Sequence, residues 1–180
     1  MHEPRLLMSA RGYSLMWDDM GSDAKRKAAM HAWPGLGIVY HPTLAEAGAC
    51  VMRVITALLI VHHGLDKLEN TDGFAMGVIA EYFPFLVFPY FFTYLAAAVE
   101  IVGSFCLAVG IFARPASLLL AGTMMNALAF HLMKFGPQRF PLNPESRGAY
   151  TYEPCLAFLG VTLYFAFAGP GKFAMRPHGF

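Results

Sequence analysis

The stretch VFPYFFTYLAAAVEIVGSFCLAVGIFARPASLLLAGTMMNALAFHLM, residues 87–133, decides the fold. It carries only two ionised side chains, Glu100 and Arg114. A membrane-spanning helix needs about 20 mostly apolar residues, and this stretch holds two. The first, over 87–112, contains only Glu100; the second, over 115–133, contains no Asp, Glu, Lys or Arg. Between them Arg114-Pro115 follows Gly110. Proline suits the first turn of a helix, so the two read as a tight antiparallel hairpin.

On either side of this hairpin, the same charge map gives two more spans. One covers 45–63, with Arg53 as its single charge beyond the opening Glu46; the other covers 150–168, with Glu153 near its start. The last is rich in aromatics (Phe158, Tyr164, Phe165, Phe167) and stops at Gly169-Pro170-Gly171, a strong breaker. The predicted fold is all-α: an antiparallel four-helix transmembrane bundle over 45–172, preceded by an N-terminal extramembrane tail over 1–44 and followed by a C-terminal tail over 173–180. The 64–86 connection is long, and its 73–83 stretch reads as a short helix at the membrane interface.

Composition agrees. Of 180 residues, 57% are hydrophobic and 14% charged, against about 25% charged in soluble domains. The net charge is +1. These values exclude a disordered chain, a nucleic-acid-binding domain and most soluble enzymes. With four spans both termini share a side, which collects eight Lys and Arg (5, 11, 25, 26, 27, 114, 172, 176) against four (67, 134, 139, 147) on the other. The positive-inside bias puts both termini of a multi-pass protein in the cytoplasm or an equivalent compartment; the expected location is a bacterial inner membrane. Residues 1–44 lack the apolar core of a secretory signal. They read as a cytoplasmic tail, with Ser14–Met20 able to begin a surface helix and Trp17 and Trp33 suited to an interface.

A charge inside the membrane costs at least ~2.5 kcal/mol and is expected to face the bundle with a partner. Counting from the inner edge places Arg53 on the order of 12 Å deep and Glu100 on the order of 18 Å deep. This predicts an Arg53–Glu100 ion pair between spans one and two, either a clamp fixing register or a working group. Thr93, Ala96, Ala97, Gly103 and Ser104 share the face of Glu100, as small and polar residues at close helix contacts do. In span four Glu153, Ala157, Gly160 and Tyr164 form a similar stripe.

The outer end gathers a second set: His62, His63, Asp66 and Lys67, then His131 and Lys134, then Tyr152 and Glu153. Adjacent His62 and His63 point about 100° apart and share one ion poorly, and there is no His-x-x-x-His, so no metal or haem is expected. A quinone headgroup needs one or two hydrogen-bond donors beside an apolar groove, and His63, Lys67, His131 and Glu153 would line such a pocket; a purely structural polar cluster is the alternative. Cys50, Cys106 and Cys155 include no C-x-x-C and read as buried small hydrophobes. Phosphate-loop, nucleophile-elbow and zinc-protease motifs are absent.

Several spaced elements resemble the DoxX family of small four-span membrane proteins. Arg53 is followed by His63-Gly64-Leu65-Asp66-Lys67-Leu68. Glu100-Ile-Val-Gly103 is followed by Gly110-Ile-Phe-Ala-Arg114-Pro115-Ala116, and Tyr152-Glu153 by Gly169-Pro170-Gly171. The resemblance covers about 45–172 and implies a four-helix membrane bundle, some of whose relatives are subunits of membrane oxidoreductases or partners of redox-stress proteins. The N-terminal tail and the His62-His63 pair depart from that pattern.

The functional expectation is a membrane subunit of a quinone-linked redox complex. It would hold no covalently bound cofactor and give anchorage, with a quinone pocket near its outer end. Its partners would be the lipid bilayer and other membrane or peripheral redox subunits, and no nucleic acid. The rival is a structural subunit of a large membrane assembly without chemistry of its own. A transporter is a third reading, although four spans without a repeat leave little room for alternating access.

Overall fold

The computed structural model describes residues 21, 42–141 and 149–176. The chain divides into two compact units, Met1–Ala45 and Glu46–Phe180. Of the first unit, only Gly21 and the opening residues of the first helix are described. The tail expected before residue 45, with Trp17, Trp33 and the 14–20 helix, otherwise lies outside the described residues. The second unit holds the helical core.

Five α-helices and no strand are found among the described residues: α1 Pro42–Glu69, α2 Thr71–Phe74, α3 Pro89–Val109, α4 Ala113–Phe135 and α5 Glu153–Ala168, with a π-helical turn Ala75–Ala80 after α2. Three are long and apolar enough to cross a membrane: Thr43–Glu69, Pro89–Val109 and Ala113–Phe135. The fourth expected span corresponds to α5, which has 16 residues. At 1.5 Å per residue it is about 24 Å long, short of the ~30 Å hydrocarbon layer.

Each long helix buries one stripe. On α1 it is Arg53, Thr56, Ala57, Ile60, Gly64 and Lys67, at the three- and four-residue steps of a helix face. On α3 it is Thr93, Ala97, Glu100, Gly103, Ser104 and Leu107, the face expected around Glu100. On α4 it is Ala113, Ala116, Ser117, Leu120, Ala121 and Met124. Ile60, Leu107, Leu120, Met124 and Phe165 meet in one apolar cluster, so α1, α3, α4 and α5 share a core. Small residues set the spacing. A Cβ on Gly64 would lie 2.8 Å from Ile101 Cγ1 and 3.0 Å from the Ala97 carbonyl, so α1 and α3 touch backbone to side chain there. Gly103 meets Leu120 in the same way, and α4 folds back on α3 through a turn at Gly110, φ +76°, and Phe112, φ 49°.

Three expectations change. First, α1 continues past residue 63 to Glu69. No proline or helix-stopping turn intervenes until Asn70, whose side chain accepts from the Gly73 amide and starts α2. Apolar Leu65 and Leu68 carry the span through a segment whose charges make it look like a loop.

Second, the stripe expected to face inward on span four faces outward: Glu153, Ala157, Gly160 and Tyr164 are exposed. Thr162, Phe165 and Ala166 are buried instead, because the core facing α5 is built of Leu120 and Met124 and takes a large side chain. Third, 173–176 does not hang free. Met175 N donates to the Val109 carbonyl (3.1 Å) and Arg176 N to that of Gly110 (3.3 Å). Within the 64–86 connection, α2 and the π-turn supply the short helix expected over 73–83.

Candidate functional site

Two polar centres sit in the helical core, one on each side of the apolar cluster. The first joins α1 to α3. Lys67 Nζ lies 2.6 Å from Glu100 Oε2, with side-chain exposures of 11% and 2%. Lys67 Nζ also donates to the His63 carbonyl (3.3 Å) and stands 4.6 Å from the centre of the Phe74 ring. The Thr123 hydroxyl of α4 donates within its own helix, to the Leu120 carbonyl (2.9 Å). A buried charge pair is tolerated when its remaining donors and acceptors find partners, and here α1 and α2 supply further ones to Lys67 beside the α3 carboxylate.

The second centre gathers the C-terminal segment. Arg53, 1% exposed, donates from Nη1 to the Pro170 carbonyl (2.7 Å) and from Nη2 to the Phe173 carbonyl (3.3 Å). Its Nη2 lies 3.7 Å from Cys50 Sγ. Glu46 Oε2 accepts from the Lys172 amide at 2.9 Å. The predicted Arg53–Glu100 pair is therefore not formed: Glu100 takes Lys67, and no described carboxylate pairs with Arg53. Depth explains the exchange. Gly64 faces Ala97–Ile101, and Arg53 lies roughly 16 Å back along α1. It is level with Gly110, where its Nη1 is 2.8 Å from the place a Cβ would take. Counting depth from a span that ends at 63 hides Lys67 as the partner.

The four residues expected to line one pocket separate. His63 lies beside Lys67, with its ring edge-on to Phe158 of α5 at 6.4 Å. His131 stands on α4, stacked on Phe135 at 5.9 Å and edge-on to Phe130 at 5.3 Å. Its Nδ1 is buried and makes no hydrogen bond. Phe130 in turn meets Tyr82 at 5.0 Å. Glu153 is exposed, and its Oε1 accepts from the Tyr150 amide at 3.0 Å, which ties down the start of α5. No hydrogen bond or ring contact joins His131 or Glu153 to His63 or Lys67 among the described residues. All four nevertheless belong to the end of the helices away from Arg53. Among the described residues no group of three His, Cys, Asp or Glu is placed to hold a metal ion, and Cys50, Cys106 and Cys155 are free thiols.

The model of the DoxX family matches residues 48–132. A Haemophilus influenzae protein described as "Uncharacterized protein" is 32% identical over 126 residues, covering 69% of this chain and 84% of the relative. The chain belongs to the DoxX family. A Bacillus subtilis protein described as "Putative oxidoreductase CatD" is 30% identical over 83 residues, 46% of this chain. This chain spans 58% of that relative's length. No solved structure matches the chain. The DoxX match runs from α1 into the end of α4, so Arg53, the Lys67–Glu100 pair and His131 fall inside it. Helix α5, Glu153 and the C-terminal segment fall outside it. With its three apolar spans, this DoxX protein is an integral membrane protein in contact with lipid.

Proposed function

We propose that the chain is a four-span membrane subunit of a quinone-linked redox complex, with both termini in the cytoplasm and a quinone headgroup site at the end that holds Lys67 and His131. The observation that carries the reading is His131: a buried imidazole nitrogen without a hydrogen bond, framed by Phe130 and Phe135, with Tyr82 behind. A buried polar atom left unpaired costs about 1–3 kcal/mol, and a quinone carbonyl is a group of the right kind to engage an imidazole N–H between aromatic faces. The name of the Bacillus subtilis relative points to the same class of chemistry. Helix α5 packs along α4 and supplies Phe165 to the shared core, which favours counting it as the fourth crossing despite its length. The Lys and Arg distribution favours cytoplasmic termini.

Lys67 and Glu100 satisfy each other, so they hold the helices beneath the site and do not meet the ligand. That saturation also favours a second reading, a structural subunit of a large membrane assembly. Equilibrium binding of a short-tailed benzoquinone to the detergent-solubilised protein separates the two. On the quinone reading His131→Ala weakens binding about tenfold, and Glu153→Gln leaves it unchanged. Failure of the unaltered protein to bind the quinone would leave the structural subunit.

A further inference from the structure

One polar side chain is out of place. Asn126 lies well inside α4, roughly 20 Å from its start and 13 Å from its end, and it is exposed on the surface of the bundle. Its amide makes no hydrogen bond with any described residue, although two donors and an acceptor are available. Hydrocarbon supplies no partner for them.

The surroundings are regular. Leu119, Gly122, Asn126 and Met133 recur at steps of three, four and seven, and all are exposed. Gly122 opens a gap: a Cβ there would meet nothing within 4 Å. This is the seam of a two-helix coil, with a small residue for close approach and one polar residue in an apolar stripe.

We propose that α4 pairs with α4 of a second copy of this chain along the Leu119–Gly122–Asn126–Met133 stripe, with the two Asn126 amides bonded to each other. A second copy fits better than another partner for a geometric reason. Copies inserted in one orientation are related by a two-fold axis along the membrane normal, so like residues meet at like depth. An amide is both donor and acceptor, so it is its own complement. A lone Asn in such a seam also fixes register and oligomeric state. The pairing leaves the buried faces of α1, α3 and α5 untouched and is independent of the quinone reading.

The test uses the full chain in lipid vesicles, with Cys50, Cys106 and Cys155 replaced by Ser and Gly122→Cys introduced. Oxidative cross-linking is expected to give a species of twice the 19.8 kDa monomer mass. Cysteine at the outward-facing Val102 of α3 should give none. Adding Asn126→Leu should weaken association about tenfold, equivalent to roughly 1.4 kcal/mol, while Asn126→Gln retains it. Because Asn126 faces outward, the Leu variant keeps the thermal midpoint of the monomer. Cross-linking that is equal at 102 and 122, absent at both, or indifferent to Asn126→Leu would overturn the pairing.

Discussion

At the level of single residues, the core of this protein is held by two cations with different solutions to the same problem. Lys67 finds a carboxylate, and Arg53 finds two carbonyls of a loop. Removing one member of a buried pair strands the other, at about 3–5 kcal/mol. Lys67→Met and Glu100→Leu are each expected to lower stability by that order, and the double variant to recover most of the loss. Thermal unfolding of the four proteins in detergent measures the coupling; additive losses would mean that the pair is not a unit.

Glu100 is legible in the sequence, because its face reads Thr93, Ala97, Gly103 and Ser104. Its partner is not. Lys67 follows two histidines and an aspartate, and such a cluster looks like the end of a span. The long lysine stem hides its charge in the core while His62 and Asp66 on the same turns stay exposed.

Among the elements, the segment after α5 acts as a strap. Residues 170–176 bond to α1 through Arg53 and Glu46 and to the α3–α4 turn through Val109 and Gly110. Ending the chain at Ala168 would strip the Arg53 guanidinium of both carbonyl acceptors and leave it only the weak acceptor Cys50 Sγ. That truncation is expected to reduce the amount of folded protein sharply, and Arg53→Met in the truncated chain is expected to restore part of it. Size-exclusion profiles of the two truncated proteins decide this; equal losses would show that Arg53 is not what the strap satisfies. The α1–α3 contact has its own test. Gly64→Leu drives a side chain into Ile101 and the Ala97 carbonyl, at about 1–3 kcal/mol for overpacking. A thermal midpoint equal to that of the unaltered protein would contradict the contact.

Helix α3 is readable as an element because its small residues and its charge share one stripe. Helix α5 misleads because it has two candidate faces. Only the shape of the neighbouring core, built of Leu120 and Met124, selects the one that carries Phe165. The strap has no periodicity from which to be read.

For the molecule as a whole, the hydrophobic intervals make the membrane class plain, while the number of crossings rests on the 16-residue α5. If α5 crosses, the two termini share a compartment. Reporter fusions at residues 1 and 180 should then report the same side, and opposite sides would leave three crossings. The polar centres lie toward opposite ends with the Ile60–Leu107–Leu120–Met124–Phe165 cluster between them. Under the proposed function, a quinone held at the His131 end would be separated from the strap end by that cluster. The functional proposal stands or falls on whether this site takes a quinone within a redox complex. Mass spectrometry of the protein extracted gently from its native membrane would decide it. The expected result is a retained quinone, lost on His131→Ala, together with a redox subunit. A stoichiometric place in a large assembly with no quinone would contradict the proposal.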